Sequence, residues 1–345
     1  MAYTNIDRSS DYFRTKLYTG NGSTQSITFD ESKAMQPDCT WIKVRNDANV
    51  TLVHDVIRGA TKEIYTPLTN AEATDANGLT AFNSNGFSVG SAFGVNRSGY
   101  NFVNWSWKAN GAGVSNTVGT ISSTVSANTT SGFSIVTGTF ASVNSQTVGH
   151  GLGVAPSMVI LKRRNIVESW TTYHKSLGAT KALSLNTTDA SSTNIGFWNN
   201  TEPTSSVFSF GNYFNSTNNF VLYCFAEVKG YSKAFSYTGN GSSDGTFVYC
   251  GFRPAWILRK RTDSGGDWYI EDNKRNTYNP VDLILQPNLS STEGTASSMS
   301  VDFLSNGFKV RGTSLDGNAS SGTYIGIAFS ENPFVSSGGI PTTAR

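Results

Sequence analysis

The sequence predicts an all-β protein of three tandem antiparallel β-sandwich domains, jelly-roll or lectin-like, arising from an internal triplication. The first observation behind this is a phrase that occurs three times: Pro37-Asp-Cys-Thr-Trp-Ile-Lys43, Pro156-Ser-Met-Val-Ile-Leu-Lys162 and Pro254-Ala-Trp-Ile-Leu-Arg-Lys260. The register then runs on without a gap to Asp55, His174 and Asp272, and an identical Gly-Ala-Thr-Lys follows at residues 59–62 and 178–181. The second observation is composition. Charged residues make up only 14% and aromatics 12%, amid abundant Gly, Ser, Thr and Asn. β-Branched and aromatic residues favour strands, and the Leu/Glu/Lys/Ala stretches that build helices are nearly missing. Third, turn signals recur about every 8–12 residues between short apolar runs, the pattern of a sandwich.

The 345 residues leave room for two or three domains. The expected organisation is an N-terminal arm (1–14), a first sandwich (15–109), a Ser/Thr/Gly/Asn linker (110–130), a second sandwich (131–230), a third (231–334) and a C-terminal tail (335–345). The arm either docks on a neighbouring subunit or forms an irregular lead-in strand. In the first sandwich, Asn21-Gly22 is a tight-turn signal, because both positions tolerate positive φ. Ser26-Ile-Thr-Phe29 alternates as a half-buried strand does. Proline at the start of the repeated phrase breaks no ladder hydrogen bond. Thr51–Asp55, Phe82–Gly90 and Tyr100–Trp107 complete the unit, the last with Trp105 and Trp107 on one face and Asn104 and Ser106 on the other. Residues 118–125 alternate weakly within the linker. Matching runs follow in the second unit at 132–136, 146–153, 170–174, 181–185, 207–211 and 219–227. The third unit has them at 235–242, 247–250, 268–272, 303–310 and 322–331.

Several function classes find no support in the residues. The formal net charge is +2 with acids and bases interspersed, so no nucleic-acid partner is expected. No apolar run approaches a membrane span, and Met1–Asp7 lacks the features of a secretory signal, so synthesis in a cytoplasm without membrane insertion is expected. Cys39, Cys224 and Cys250 have no CxxC spacing and are expected as buried thiols. His54 and His150 have no neighbouring nucleophile pattern, and His174 shares its slot with two aspartates, so no triad is indicated. No metal or cofactor is expected. Cys/His spacing for zinc is missing, and the acids near Asp267, Glu271 and Asp272, or at Asp244, lack EF-hand spacing. Glu227 and Glu331 recur at one strand end, which points to packing or capping rather than glycoside hydrolysis. Lys43 and Lys260 are expected to form cross-strand ion pairs with Asp55 and Asp272. Trp198 and Tyr213, in polar loops, are the candidate glycan contacts. Function is expected where the units differ, in the loops 63–80, 186–206 and 286–300, and in the two tails.

Several phrases resemble a family of virion structural proteins of tailed bacteriophages, many of them marine. They are Ala2-Tyr-Thr, Lys16-Leu-Tyr-Thr-Gly-Asn-Gly-Ser23, His174-Lys-Ser-Leu-Gly-Ala-Thr-Lys181, Phe225-Ala-Glu227, Phe247-Val-Tyr-Cys-Gly-Phe-Arg-Pro-Ala-Trp256 and Asp302-Phe-Leu-Ser-Asn-Gly-Phe308. The resemblance covers nearly the whole chain and implies a non-enzymatic particle component, with no site motif to carry over. The expected role is a tail fibre or receptor-binding protein that adheres to the host. Its expected partners are other virion proteins and a host surface glycan or protein, with a homotrimer by fibre analogy. A capsid decoration or head-fibre protein is the alternative, and a polysaccharide depolymerase is a third reading that the missing carboxylate pair and β-helix period disfavour.

Overall fold

The repeated phrase becomes the strands Cys39–Val44, Met158–Arg163 and Phe252–Arg261, each central in an antiparallel sheet. Successive side chains of a strand point to opposite faces, and here both faces are buried. Ile42 and Val44 enter a core closed by Phe87 and Phe102, whereas Cys39 and Trp41 point into a second core. A strand buried on both sides reads as a near-continuous apolar run, which is why each phrase carries adjacent apolar residues, such as Trp41-Ile42, Met158–Leu161 and Trp256–Leu258. The computed structural model describes residues 4–336 and 338–341; residues 1–3 of the arm and 337 and 342–345 of the tail lie outside the described residues.

Three units repeat one strand order. In unit 1 the main sheet runs Phe13–Thr19, Asn101–Trp107, Cys39–Val44, Leu52–Asp55, Lys62–Tyr65 and Ala73–Thr74. A smaller sheet of Gln25–Thr28, Gly86–Val89 and Leu79–Asn83 covers one face. Unit 2 has the same series in Phe133–Thr139, Asn219–Phe225, Met158–Arg163, Thr171–His174, Lys181–Ser184 and Ser192–Thr193, covered by Gln146–Gly149 and Val207–Phe210. Unit 3 has it in Ser232–Thr238, Thr323–Pro333, Phe252–Arg261 and Trp268–Asp272, covered by Phe247–Tyr249, Gly307–Val310 and Val301–Leu304. Each pair of sheets encloses its own core, so each unit is a β-sandwich. The all-β expectation holds: the α-helices among the described residues are the single turns Phe93–Asn96 and Leu315–Asn318. The match of Phe82–Val89 to Phe303–Val310 also has a steric cause. A Cβ on Gly86, whose φ is +114°, would collide with the Ile27 carbonyl, and one on Gly307 with the Val248 carbonyl.

The outer faces of the three main sheets converge on a fourth, shared core. Trp107 lies at its centre, with ring centroids 5.8 Å from Trp41, 6.4 Å from Phe133, 6.2 Å from Phe225, 5.6 Å from Trp256 and 5.8 Å from Phe329. Unit 1 thus meets both other units through one tryptophan. The polar face of Asn101–Trp107 is buried too: Ser106 donates to Asn104 Oδ1 at 2.6 Å, and Asn104 Nδ2 donates to the Trp41 carbonyl at 3.4 Å.

One open alternative and one expectation are decided here. From Thr4 onward the described lead-in packs on its own chain, as the irregular lead-in would. Ile6 joins the shared core, Ser9 bonds Ser330, and Tyr12 meets Tyr231 edge-on at 6.0 Å, so residues 6–12 lie against unit 3 of their own chain. Residues 110–130 are not a free linker. Val114–Asn116 and Ser123–Asn128 extend the main sheet of unit 2 beyond Phe133–Thr139. Buried Val125 and Ile121 anchor that extension, although the surrounding hydroxyl-rich composition gave only a weak alternation.

Candidate ligand cleft between the second and third units

The units are joined cyclically by three seams built on one pattern. Unit 1 meets unit 3 through Asn49 N–H to the Ser290 carbonyl (2.7 Å) and Glu293 N–H to the Arg45 carbonyl (2.8 Å). Unit 2 meets unit 1 through Glu168 to Thr69 (2.8 Å) and Glu72 to Arg164 (2.7 Å), and unit 3 meets unit 2 through Gly266 to Thr188 (2.8 Å) and Ser191 to Thr262 (2.9 Å). The recurring lysines belong to these seams. Lys43 Nζ donates to the Leu289 carbonyl at 3.3 Å, Lys162 to Thr69 at 3.2 Å and Lys260 to Thr188 at 3.2 Å. Burial pushes all three ammonium groups down to about 8. The expected Lys–Asp cross-strand pairs therefore do not form. In an antiparallel hairpin the partners' numbers have a constant sum, and Cys39 lies opposite Asp55 while Lys260 lies opposite Trp268. Lysine and aspartate stand at opposite ends of the hairpin.

The aspartates instead begin buried ionic chains. At the first seam Trp105 Nε1 donates to Asp272 (3.1 Å), Asp272 accepts from Arg275 (2.6 Å), Arg275 reaches Glu293 (3.1 Å), and Glu293 takes both prongs of Arg45 (2.7 and 3.0 Å). At the second seam Tyr223 OH donates to Asp55 (2.7 Å), Asp55 holds Arg58, Arg58 meets Glu72 (3.0 Å), and Glu72 takes both prongs of Arg164 (2.8 and 2.9 Å). Burial by itself disfavours the Arg58 and Arg275 charges, yet Asp55 and Asp272 outweigh it, and both guanidiniums are held above their ordinary value. Forked arginine–carboxylate bonds of this kind fix geometry as well as charge.

Every link of that chain is replaced at the third seam. Ile327 stands where Trp105 and Tyr223 stand, His174 replaces aspartate, Leu177 replaces arginine, Ser191 replaces glutamate and Thr262 replaces the second arginine. With no acidic chain to join, His174 turns to the main chain: Nε2–H donates to the Gly326 carbonyl at 3.1 Å and Nδ1 accepts from Ser176 N–H at 3.2 Å. Three long side chains have become short ones while the backbone spacing is unchanged. The result is an open cleft of about 460 Å³ lined by Leu177, Ser191 and Thr262. Ser236, Thr238 and Thr323 add hydroxyls, and Lys181 and Asp263 add one charge of each sign.

The residues singled out from sequence land elsewhere. Trp198 is no exposed glycan platform: it is fully buried among Tyr173, Phe208 and Phe214, and its Nε1 donates to the Lys181 carbonyl at 2.9 Å. A polar loop sequence hid it because its neighbours Asn199 and Asn200 turn outward at positive φ while the indole turns in. Tyr213 is 40% exposed, with its ring 4.5 Å from Phe197 and 5.5 Å from the Arg163 guanidinium. The structure does not bring the two together on one surface. All three cysteines are buried thiols. Asp267 accepts from Gln286 and Asn288, Glu271 binds Arg259, and Asp244 binds Lys309, so those acids are each engaged. The loops 63–80, 186–206 and 286–300 hold Glu72, Ser191 and Glu293, so they are largely seam straps.

Two of the histidines make stability depend on pH. Burial pushes both His54 and His174 down to about 4, and Arg58 adds to the effect at His54. The unfolded chain takes up those protons near the ordinary histidine value, the folded chain only near 4. Stability is thus complete above about pH 6.5 and falls as the pH drops toward 4, by on the order of 3 kcal/mol per histidine. Urea midpoints measured across this range are expected to fall steeply in the wild type and less steeply in His174→Gln; equal slopes would refute the assignment.

The fold and seams together define a class: an all-β protein of three cyclically joined sandwiches with a cleft at the seam of the second and third units. Residues 8–333 match the family model described as domain of unknown function DUF7483, and the chain belongs to that family. No curated protein matches it.

Proposed function

We propose that this chain is a non-enzymatic structural component of a bacteriophage virion, a tail fibre or receptor-binding protein that adheres to the host surface. One observation carries the non-enzymatic part: the groups that hydrolysis would need already serve the fold. His54, His150 and His174 are buried and bonded to main-chain carbonyls. Asp55 and Asp272 hold buried arginines, and Glu227 and Glu331 are clasped by Lys175 and Arg253. Side chains tied down in this way are poor general acids or bases. The virion setting is supported by the phrase resemblance. Three units sharing one core already give a rigid adhesive body within a single chain, so the homotrimer expected by fibre analogy is not needed to build it.

A particle map and copy number test the reading. A few copies at the tail support the fibre role; hundreds spread over the shell would replace it with capsid decoration. Release of reducing ends from host polysaccharide by the purified chain would overturn the non-enzymatic assignment.

A further inference from the structure

We infer that the cleft between units 2 and 3 is a binding site for a polyhydroxylated ligand, a short oligosaccharide segment, and that the replaced ionic chain is what opened it. The inference rests on the adhesion reading above and gives that reading a site. A seam that only had to hold two units together would be served by the arginine–glutamate fork found at the other two. Here the fork is gone, yet the backbone bonds of the seam are kept at 2.8 and 2.9 Å. The cleft measures about 460 Å³, within the range of small-molecule sites.

The lining selects the chemistry. Hydroxyls of Ser176, Ser236 and Thr238 face the cleft from both units, suited to exchanging donor and acceptor roles with sugar hydroxyls. Lys181 forms no ion pair among the described residues and supplies N–H donors. Asp263 supplies acceptors: Arg261 grips it at 3.1 Å through both oxygens, and that bond holds the carboxyl down at about 2, so it stays ionised. Half-buried Leu177 offers an apolar contact for the C–H face of a ring. The alternatives fit less well. A phosphate ligand calls for several converging cations or a nest of amides, whereas one lysine is present. A divalent cation calls for several oxygens from carboxylates, whereas Asp263 is alone and already held. A lipid tail would leave the hydroxyls unpaired.

The test uses the protein's own other seams. Ser191→Glu with Thr262→Arg rebuilds the fork and fills the cleft with a pair whose geometry occurs twice in this chain; Lys181→Met removes one donor and leaves the seam alone. Binding of the full chain to a panel of neutral and uronic-acid oligosaccharides, and to host surface polysaccharide fragments, is measured by calorimetry at millimolar ligand. The expected result is binding by the wild type, at least tenfold weaker in the filled variant and several-fold weaker in Lys181→Met. Unchanged binding in the filled variant overturns the site but not the adhesion reading. Host adhesion that survives carbohydrate stripping of the cells and is lost on protease treatment overturns the ligand class in favour of a peptide. A wild-type chain that fails to adhere to host cells at all overturns the reading on which the site rests.

Discussion

Asp55→Ala is expected to destabilise the protein by about 3–5 kcal/mol, because it leaves the buried Arg58 guanidinium without its main counter-charge. Both side chains are fully shielded from solvent, and Arg58 also donates to Asp55 and to the Val53 carbonyl. Tyr223 loses its acceptor in the same step. Glu72 still faces Arg58 at 3.0 Å, but it is shared with Arg164. The third seam shows how the whole set is dispensed with. The five-fold replacement Asp55→His, Arg58→Leu, Glu72→Ser, Arg164→Thr and Tyr223→Ile transfers that solution to the second seam. It is expected to cost less than Asp55→Ala alone, because a fully removed ionic network leaves no orphaned charge. Urea unfolding of both variants checks this. A five-fold variant less stable than the single one would mean that the ionic chain adds net stability, rather than fixing register.

Trp107→Ala is expected to cost about 3–5 kcal/mol, the range for deleting a large buried aromatic. Its ring is 2% exposed and meets residues of all three units, so no single sandwich can close over the gap. The cavity would lie where the three main sheets converge, and rigid sheets relax little. The readout is the urea midpoint together with limited proteolysis of the unit connections near 109–131 and 226–232. Faster cleavage at both connections is expected, because the shared core loosens for every unit at once. A loss under about 1 kcal/mol would show that each sandwich is stable through its enclosed core alone.

Much of the fold was legible because period-two alternation and turn chemistry are local. Trp41-Ile-Lys-Val, Phe82–Val89 and Tyr100–Trp107 read as strands and are strands. The site was less legible. Trp198 sits among asparagines and glutamate in sequence, and only the packing of Tyr173, Phe208 and Phe214 makes it core. The cleft had a signal that pattern reading did not weigh. Arg45 and Arg164 follow two residues after their lysines where Thr262 does, and Asp55-x-x-Arg58 and Asp272-x-x-Arg275 contrast with His174-x-x-Leu177. A difference between repeats carries meaning only once it is known that the positions face a neighbour.

By itself the sequence determined the strands, the three-unit register and the apolar faces, because these follow from side-chain alternation and turn residues within a few positions. The cyclic closure was decided only by tertiary structure. Lys43 finds the Leu289 carbonyl and Asp55 finds Tyr223 across more than a hundred residues of chain, through contacts with no local sequence signature. The same holds for the cleft. It is lined by short side chains, Leu177 and Ser191 from one unit and Thr262 from the next, brought to one seam where longer charged ones stand at the other two.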